Sequence, residues 1–373
     1  RAHGGKIKYS YSIVNAVAAT LPTGAIEGLS HNPHVTAIDL DDTVYAVDAE
    51  LDNSWGVRRI GAGTVHTDLV NPNKGTGVKI GIIDSGINYL HPDLDGNYRG
   101  GYDFYYYDND PMDVYGHGTH VAGTACAEDN NIGSVDPKIG VVGVAPECNL
   151  YSLRVLNEDG VGYWSDIIAA VEWSTGVPVY LEAWGTTPAT TTQGIKMDVI
   201  NLSLGKDRNP GSTVKAAFDN AEAKGIVIVA AAGNSGTVSG KGKNVIYPAK
   251  FASVIAVAAT DPADKRASFS STGPEVDLAA PGVSVYSTWN DNTSYSSPQP
   301  VCDVLGLGDC YKYGSGTSMA SPHVAGVAAL VIAKGVTNQN GIKGISDEVR
   351  QIMTSTAQNL GTIGLDPQYG YGL

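Results

Sequence analysis

The chain is expected to adopt an α/β fold, a parallel sheet with helices on both faces, preceded by a smaller, partial α/β module. Three observations carry this reading. Short apolar runs rich in β-branched residues recur at 78–84, 150–156, 199–204, 226–230 and 254–257, as strands buried on both faces do. Helical stretches such as 166–174 separate them, the alternation that crossovers between parallel strands require. The N-terminal part reads differently: residues 6–14 alternate as a strand, 21–29 form a short helix with Pro22 near its start, and 35–47 return as strands.

With 373 residues, 42% of them hydrophobic and 17% charged, the chain holds enough apolar material for one large core and a small appendage. A formal net charge of −14 disfavours nucleic acid and anionic membranes as partners, since both would repel it. The surplus acid suits calcium instead. No apolar stretch reaches the roughly 20 residues of a bilayer span. The chain begins at Arg1 with no signal peptide, so its ends read as trimmed. The cysteines fall as two pairs close in sequence, Cys126 with Cys148 and Cys302 with Cys310, and no Cys-x-x-Cys suggests zinc or redox work. Two local disulfides are expected, which places the protein outside the reducing cytosol. Buried free thiols are the alternative.

Glycine-bracketed motifs bear the chemistry. The run 78–83 ends in Asp84-Ser85-Gly86, so a carboxylate stands at the C-terminal tip of a buried parallel strand, where an open α/β sheet borders its ligand crevice. Tyr115-Gly116-His117-Gly118-Thr119-His120 leads a loop into a helix with small residues suited to close packing, and His117 falls at the helix start. Gly316-Thr317-Ser318-Met319-Ala320 runs into an apolar helix. Ser318 therefore sits where unpaired N–H groups and the positive end of the dipole favour an oxygen gaining negative charge. Singly, each has a bland reading: a cap for Ser318, structural side chains for His117 and Asp84. Together they make a nucleophile, a base and an orienter. His120, three residues after His117, invites a metal reading, but no Glu or Cys stands at ligand spacing.

These motifs, in the chain order Asp, His, Ser, resemble those of the subtilisin-like serine proteases. The likeness continues in Val199-Ile200-Asn201-Leu202-Ser203-Leu204-Gly205, Val229-Ala230-Ala231-Ala232-Gly233-Asn234-Ser235-Gly236 and Ala267-Ser268-Phe269-Ser270-Ser271-Thr272-Gly273-Pro274, and covers nearly the whole chain. It implies a serine endopeptidase acting through an acyl-enzyme on Ser318, with His117 as base and then acid and Asp84 orienting the imidazole. Asn234 and the Ser318 backbone N–H would hold the oxyanion. It also implies that Gly160-Val161-Gly162 and Ser203-Leu204-Gly205 sandwich an extended peptide, glycine letting backbone approach backbone. Ala231, Ala232 and Gly233 would wall the pocket for the residue before the cut, with Ile246 at its base, and Trp164 a second apolar pocket. Broad specificity with an apolar preference follows. His120 and His323 would be packed helix residues, and Tyr247-Pro248 a cis bond.

By the same resemblance, residues 1–51 are similar to the last part of a propeptide that assists folding and then inhibits the active site. Residues 52–373 would be the catalytic domain, with Ser54-Trp55-Gly56-Val57 near its start. Self-cleavage is expected between Ala49 and Asp52, Leu51 lying on the acyl side, with residues 45–51 extended in the cleft as an added strand. Two stretches depart from shorter family members: 175–196, expected at a sheet edge away from catalysis, and 290–312, expected to rim the leaving-group side. Calcium is the implied cofactor, structural and with no catalytic metal beside it. Asp93 with Asn130 and Asn131 resembles one site. Asp103, Asp108, Asp110 and Asp113 offer a second, since carboxylates crowded in a short span repel unless a cation joins them; a solvated acidic loop is the alternative. The expected protein is a secreted, monomeric, self-processing protease with peptide substrates and its own propeptide as inhibitor. Its rivals are a narrow-specificity processing protease, a non-catalytic peptide-binding relic, and a metalloenzyme built on His117 and His120.

Overall fold

The computed structural model describes residues 5–11, 14–39, 49–130, 140–182, 189–290, 310–339, 341 and 344–373. The chain divides into two units, Arg1–Val47 and Asp48–Leu373. In the first, β1 (Lys6–Ser10) pairs antiparallel with β2 (Val17–Thr20), and α1 (Thr23–Ser30) follows. Pro22 precedes α1 with φ −61°, a value its ring imposes and a helix start accepts. After α1 the Asn32 side chain accepts the His34 N–H at 3.0 Å and turns the chain. Of the strands expected over 35–47, the described part, residues 35–39, forms none, and 40–47 lie outside the described residues.

The second unit opens with α2 (Ala49–Asn53), α3 (Trp55–Arg59) and α4 (Ala62–His66). The extended segment expected to end at Leu51 concerns the cleaved product; in the intact chain its described part, residues 49–51, is helical. Leu51 is helical and packs on the core, with its Cδ2 2.5 Å from where a Cβ on Gly63 would stand. Extending these residues into a cleft would strip that apolar contact. The second unit runs from Asp48, and the expected boundary at 52 falls inside α2.

Next come β3 (Lys79–Asp84), β4 (Tyr98–Asp103), α5 (His117–Cys126), β5 (Asn149–Arg154), α6 (Trp164–Trp173), β6 (Val179–Leu181), β7 (Thr190–Thr192) and β8 (Val199–Leu202). They are followed by α7 (Ser212–Ala223), β9 (Val227–Ala231), β10 (Ile255–Thr260), β11 (Val276–Pro281), β12 (Val285–Thr288), β13 (Tyr311–Gly314), α8 (Thr317–Ala333) and α9 (Ser346–Thr356). Seven strands form one sheet in the order β11-β10-β9-β8-β3-β5-β4, every pair parallel. The period of two in a strand sorts the core into two layers. Ile80, Ile82, Val227, Val229, Ile255 and Val257 face one way, onto α5, α8 and α9. Ile83, Ile200, Ile228, Ala230, Ala256 and Ala258 face the other, onto α6 and α7. The expected α/β sheet with helices on both faces is the observed one.

The topology sets the site. From β3 the chain fills β5 and β4 on one side and β8 to β11 on the other, so the strand order reverses beside β3. At such a switch point the crossovers part and leave a crevice at the strand C-termini. The 175–196 stretch contributes the antiparallel pair β6–β7, between the C-terminus of α6 and the start of β8 and so at the opposite end of the sheet; residues 183–188 lie outside the described residues. The 290–312 stretch is rooted in the antiparallel pair β12–β13, and its residues 291–309 are likewise not described. Tyr247–Pro248 is cis, as expected. Among the described residues no helix is long and apolar enough to cross a membrane.

A disulfide joins Cys126, the last residue of α5, to Cys148, just before β5, and both are buried. The other expected pairing, Cys302 with Cys310, falls outside the described residues through Cys302. The Cys126–Cys148 bridge spans 22 residues, for which chain-entropy arguments give about 3 kcal/mol. Replacing both cysteines by alanine is expected to destabilise the inactivated enzyme by about that amount, measured as a lower denaturant midpoint with a slope no smaller than the parent's, since the uncross-linked unfolded chain exposes more surface.

Candidate active site

Asp84 closes β3 and is fully buried. Its Oδ1 accepts the Ser85 N–H at 2.8 Å and lies 2.7 Å from His117 Nδ1. A carboxylate in that place fixes the proton on Nδ1 and leaves Nε2 as the basic nitrogen. His117 is the first residue of α5, reached through Gly116 in the left-handed conformation at φ 96°. Gly118 explains how the two elements come so close: a Cβ there would stand 2.1 Å from the Gly86 carbonyl oxygen and 3.2 Å from Asp84 Cβ. Burial of the imidazole, the largest influence, works to lower its pKa. The charge and hydrogen bond of Asp84, together with the charge of Asp113, outweigh that burial and raise it above the ordinary histidine value.

Ser318 is the second residue of α8, whose first turn is pinned to the end of β8. Ser203 Oγ donates to the Ser318 carbonyl at 2.8 Å, Ser321 Oγ donates to Asn201 Oδ1 at 2.6 Å, and Asn201 Nδ2 donates to Ser203 Oγ at 3.0 Å. The Ser318 hydroxyl itself donates to the Ser203 carbonyl at 3.1 Å. Asn234, exposed on the loop after β9, uses Oδ1 to accept the Thr317 N–H at 2.9 Å and the Thr317 hydroxyl at 3.0 Å. That fixes the amide and turns its N–H₂ group elsewhere. It turns to a space bounded by Gly316: the point where a Cβ would sit lies 3.4 Å from Asn234 Nδ2 and 3.6 Å from the Ser318 nitrogen. Asn234 Nδ2 and the Ser318 nitrogen, the two expected oxyanion donors, thus both lie near one point beside Gly316.

The expected substrate segments lie around this point. Gly160 has φ 71°, and a Cβ on it would meet the Tyr115 ring at 2.9 Å, while one on Gly162 would strike the Val155 carbonyl oxygen at 2.0 Å. Val161 is exposed between them, and Trp164 is partly buried at the start of α6. Ile246 joins the other two segments: its side chain lies 2.9 Å from the Cβ positions of both Gly205 and Gly233. Ala231 and Ala232 are buried beside Gly233, Ser203 is buried, and Leu204 is half-buried after β8.

The structure does not gather the acidic set before His117. Asp103 is fully buried with Arg154 Nη1 at 3.1 Å, and burial, against the pull of Arg154, pushes its pKa up to about 7. Asp110 is exposed and accepts the Tyr89 hydroxyl at 2.7 Å. Asp108 Oδ1 accepts the Asp110 N–H at 2.8 Å. Asp113 is buried, both oxygens engaged by hydrogen-bond donors of its own neighbourhood. The repulsion that suggested a cation is relieved by a guanidinium, by donors and by water instead. Among the described residues no group of three or more His, Cys, Asp or Glu side chains could hold a metal. His120 does not share a metal with His117 either: its Nε2 lies 3.1 Å and 3.0 Å from the carbonyl oxygens of Val285 and Lys312. Burial, then the charge of His117, lowers its pKa to about 4. His323 is buried with Nδ1 2.8 Å from the Met319 carbonyl oxygen.

Asp93 fares differently. It is fully buried, accepts the Val141 N–H at 3.1 Å and the Tyr311 hydroxyl at 3.0 Å, and has Asn130 Nδ2 at 3.4 Å. Burial pushes its pKa up to about 7, and the buried carboxylate of Glu50 adds to that. Its neighbours in the structure are hydrogen-bond donors, an N–H, a hydroxyl and an amide, with the Glu50 carboxylate near enough to act on its charge. Asn131 lies outside the described residues. Glu50, which acts on Asp93 here, stands in no motif that the sequence marks.

Comparison with known proteins agrees with this geometry. Residues 75–372 match the Subtilase family. The chain belongs to that family, and the protein is a serine endopeptidase. It is 39% identical to subtilisin E of Bacillus subtilis (strain 168) over 372 residues, 99% of this chain and 82% of that protein. It is 45% identical to subtilisin DY of Bacillus licheniformis over 301 residues, covering 80% and 89%. Identity to the thermophilic serine proteinase of Bacillus sp. (strain AK1) is 38% over 347 residues, covering 92% and 73%.

In a subtilase whose rate needs a neutral His117, activity is expected to fall as pH drops through a value above the usual histidine range, since the raised pKa keeps the ring protonated to higher pH. Asp84→Asn removes the two largest raising influences. It should move that limb to lower pH and cut kcat by about 10⁴-fold, as read from pH profiles of kcat and kcat/KM on a peptide substrate.

Proposed function

We propose that the protease cleaves peptide bonds through an acyl-enzyme on Ser318, with His117 as general base and acid, Asp84 as its orienter, and Asn234 with the Ser318 N–H as oxyanion donors. The supporting observation is the 2.7 Å pairing of a buried strand-end carboxylate with a helix-start imidazole. The Ser318 hydroxyl, held by the Ser203 carbonyl, must rotate about χ1 to hand its proton to His117 Nε2. As the serine oxygen attacks, the carbonyl oxygen of the substrate enters the space beside Gly316. Its negative charge is met there by fixed N–H groups and by the N-terminus of α8. His117 then returns the proton to the departing amine, and water repeats the sequence to release the acid.

Gly160 to Gly162 and Ser203 to Gly205 receive an extended substrate through backbone contacts, which are blind to side chains. Apolar preference comes from Ile246, Ala231 and Ala232 at one pocket and Trp164 at another. The N-terminal unit acts as the inhibitory remnant of a propeptide. Self-processing falls before Ala49, because Leu51 belongs to the core-packed α2. The buried disulfide fits an oxidising, extracellular setting. Asp93 and Asn130, with Glu50 acting on Asp93, would hold a structural calcium ion, which would neutralise buried acid; the Tyr311 hydroxyl on Asp93 links this position to β13.

Expression of the chain beside Ser318→Ala tests the nucleophile and the processing together: masses should show an unbroken chain only in the variant, and identical fragments from both would sink the reading. Asn234→Ala should lower kcat by about 10²–10³-fold with KM little changed, the size of effect known for an oxyanion donor in subtilisin. For calcium, the inactivated enzyme should melt at a lower temperature in chelator, and Asp93→Asn should erase that difference.

A further inference from the structure

Asp113 belongs to no part of the triad, yet its carboxylate is the most heavily engaged group beside it. Oδ1 accepts the Ser85 hydroxyl, the Tyr115 N–H and the Gly116 N–H, each at 2.9 Å. Oδ2 accepts the Thr119 N–H at 2.9 Å and the Thr119 hydroxyl at 2.6 Å. All these partners donate and so favour the ionised, acceptor-only carboxylate, while burial, the largest influence, works against them and raises its pKa above the usual carboxylate value. They also come from both sides of the Asp84–His117 pair. Ser85 follows Asp84 directly, and its Oγ in turn accepts the Gly118 N–H at 2.9 Å. Gly116 and Gly118 bracket His117, and Thr119 completes the first turn of α5, its Oγ1 accepting the Asn88 N–H at 2.9 Å. Beyond these, Asn290 Nδ2 donates to the Asp113 carbonyl from the end of β12.

We infer that Asp113 is a positioning residue for His117: it ties the end of β3 to the start of α5 so that the imidazole meets Asp84, and its buried negative charge sustains the basicity of the ring. This rests on His117 being the general base. A carboxylate fits both tasks because it accepts several N–H bonds at once and satisfies donors otherwise stranded at a buried helix start. The N-terminus of α5 stabilises the anion in return. The ionisable groups acting on His117 are Asp84 on β3, Asp113 on the preceding loop and His120 on its own helix, with the Tyr115 ring 6.4 Å away. His120 stays neutral through the working range, so the two carboxylates set the sign of the field.

The test compares Asp113→Asn, Ser85→Ala and His117→Ala in the full-length enzyme, with the amount of competent protein fixed by circular dichroism. Asp113→Asn should lower kcat on the order of 10²-fold, as a displaced catalytic group does, with KM unchanged and the acid limb of kcat/KM moved to lower pH. Ser85→Ala cuts the tie and keeps the charge, so kcat should fall while the limb stays in place. A pH profile of Asp113→Asn that coincides with the parent, or a loss carried by KM alone, overturns the inference. Should Asp113→Asn fail to fold, Ser85→Ala and Thr119→Val decide, and unaltered kcat in both overturns it. An active His117→Ala would instead refute the base assignment, which separates the two failures.

Discussion

The molecule depends on how closely α5 approaches the tip of β3. One absent side chain permits that approach: at Gly118 even a methyl group would overlap the Gly86 carbonyl oxygen, 2.1 Å away. Any residue with a Cβ would push the helix start off the strand and lengthen the 2.7 Å contact between His117 and Asp84. A hydrogen bond to a charged group weakens steeply with such a displacement. The left-handed Gly116 on the other side lets the loop turn sharply enough to deliver His117 there.

Around that contact the protein buries far more polar chemistry than a core tolerates without partners. Asp84, Asp103 and Asp113 are all buried, and each is compensated differently: by an imidazole, by a guanidinium, and by a ring of donors. On the other side of the switch point, Asn201, Ser203, Ser318 and Ser321 form a second buried network that fastens α8 to β8. Such networks hold side chains in one arrangement, because breaking any member strands the others. A rigid frame of this kind lets a serine, an imidazole and fixed N–H donors act on a substrate without reorganising.

The peripheral departures are organised around the same frame. The pair β12–β13 carries the 290–312 stretch at its ends, and its residues reach both His120, through the Lys312 carbonyl, and Asp93, through the Tyr311 hydroxyl. The proposed calcium position and the helix bearing His117 are therefore braced by the same hairpin. The Cys126–Cys148 bridge fastens the far end of that helix, so α5 is held at its start by polar contacts and at its end by a covalent one.

The sequence alone determined the parallel sheet with two helical layers, since short continuous runs of β-branched residues alternating with helical stretches have few other solutions. It also singled out Asp84, His117 and Ser318 as the candidate aspartate, histidine and serine, because each sits in a glycine-bracketed turn that constrains the backbone locally. The 126–148 pairing was legible from the closeness of the two cysteines in sequence, and the cis bond before Pro248 only through the resemblance to the family. Only the tertiary structure decided what the remaining acids do. Asp103, Asp108, Asp110 and Asp113 look alike as a charged run, but long-range partners such as Arg154 and Ser85 give them separate tasks. Likewise Leu51 reads as a cleavable extended residue until Gly63, distant from it along the chain in role if not in number, offers it a place in the core. A carboxylate's work and a leucine's burial are set by what folds against them, and no local pattern encodes that.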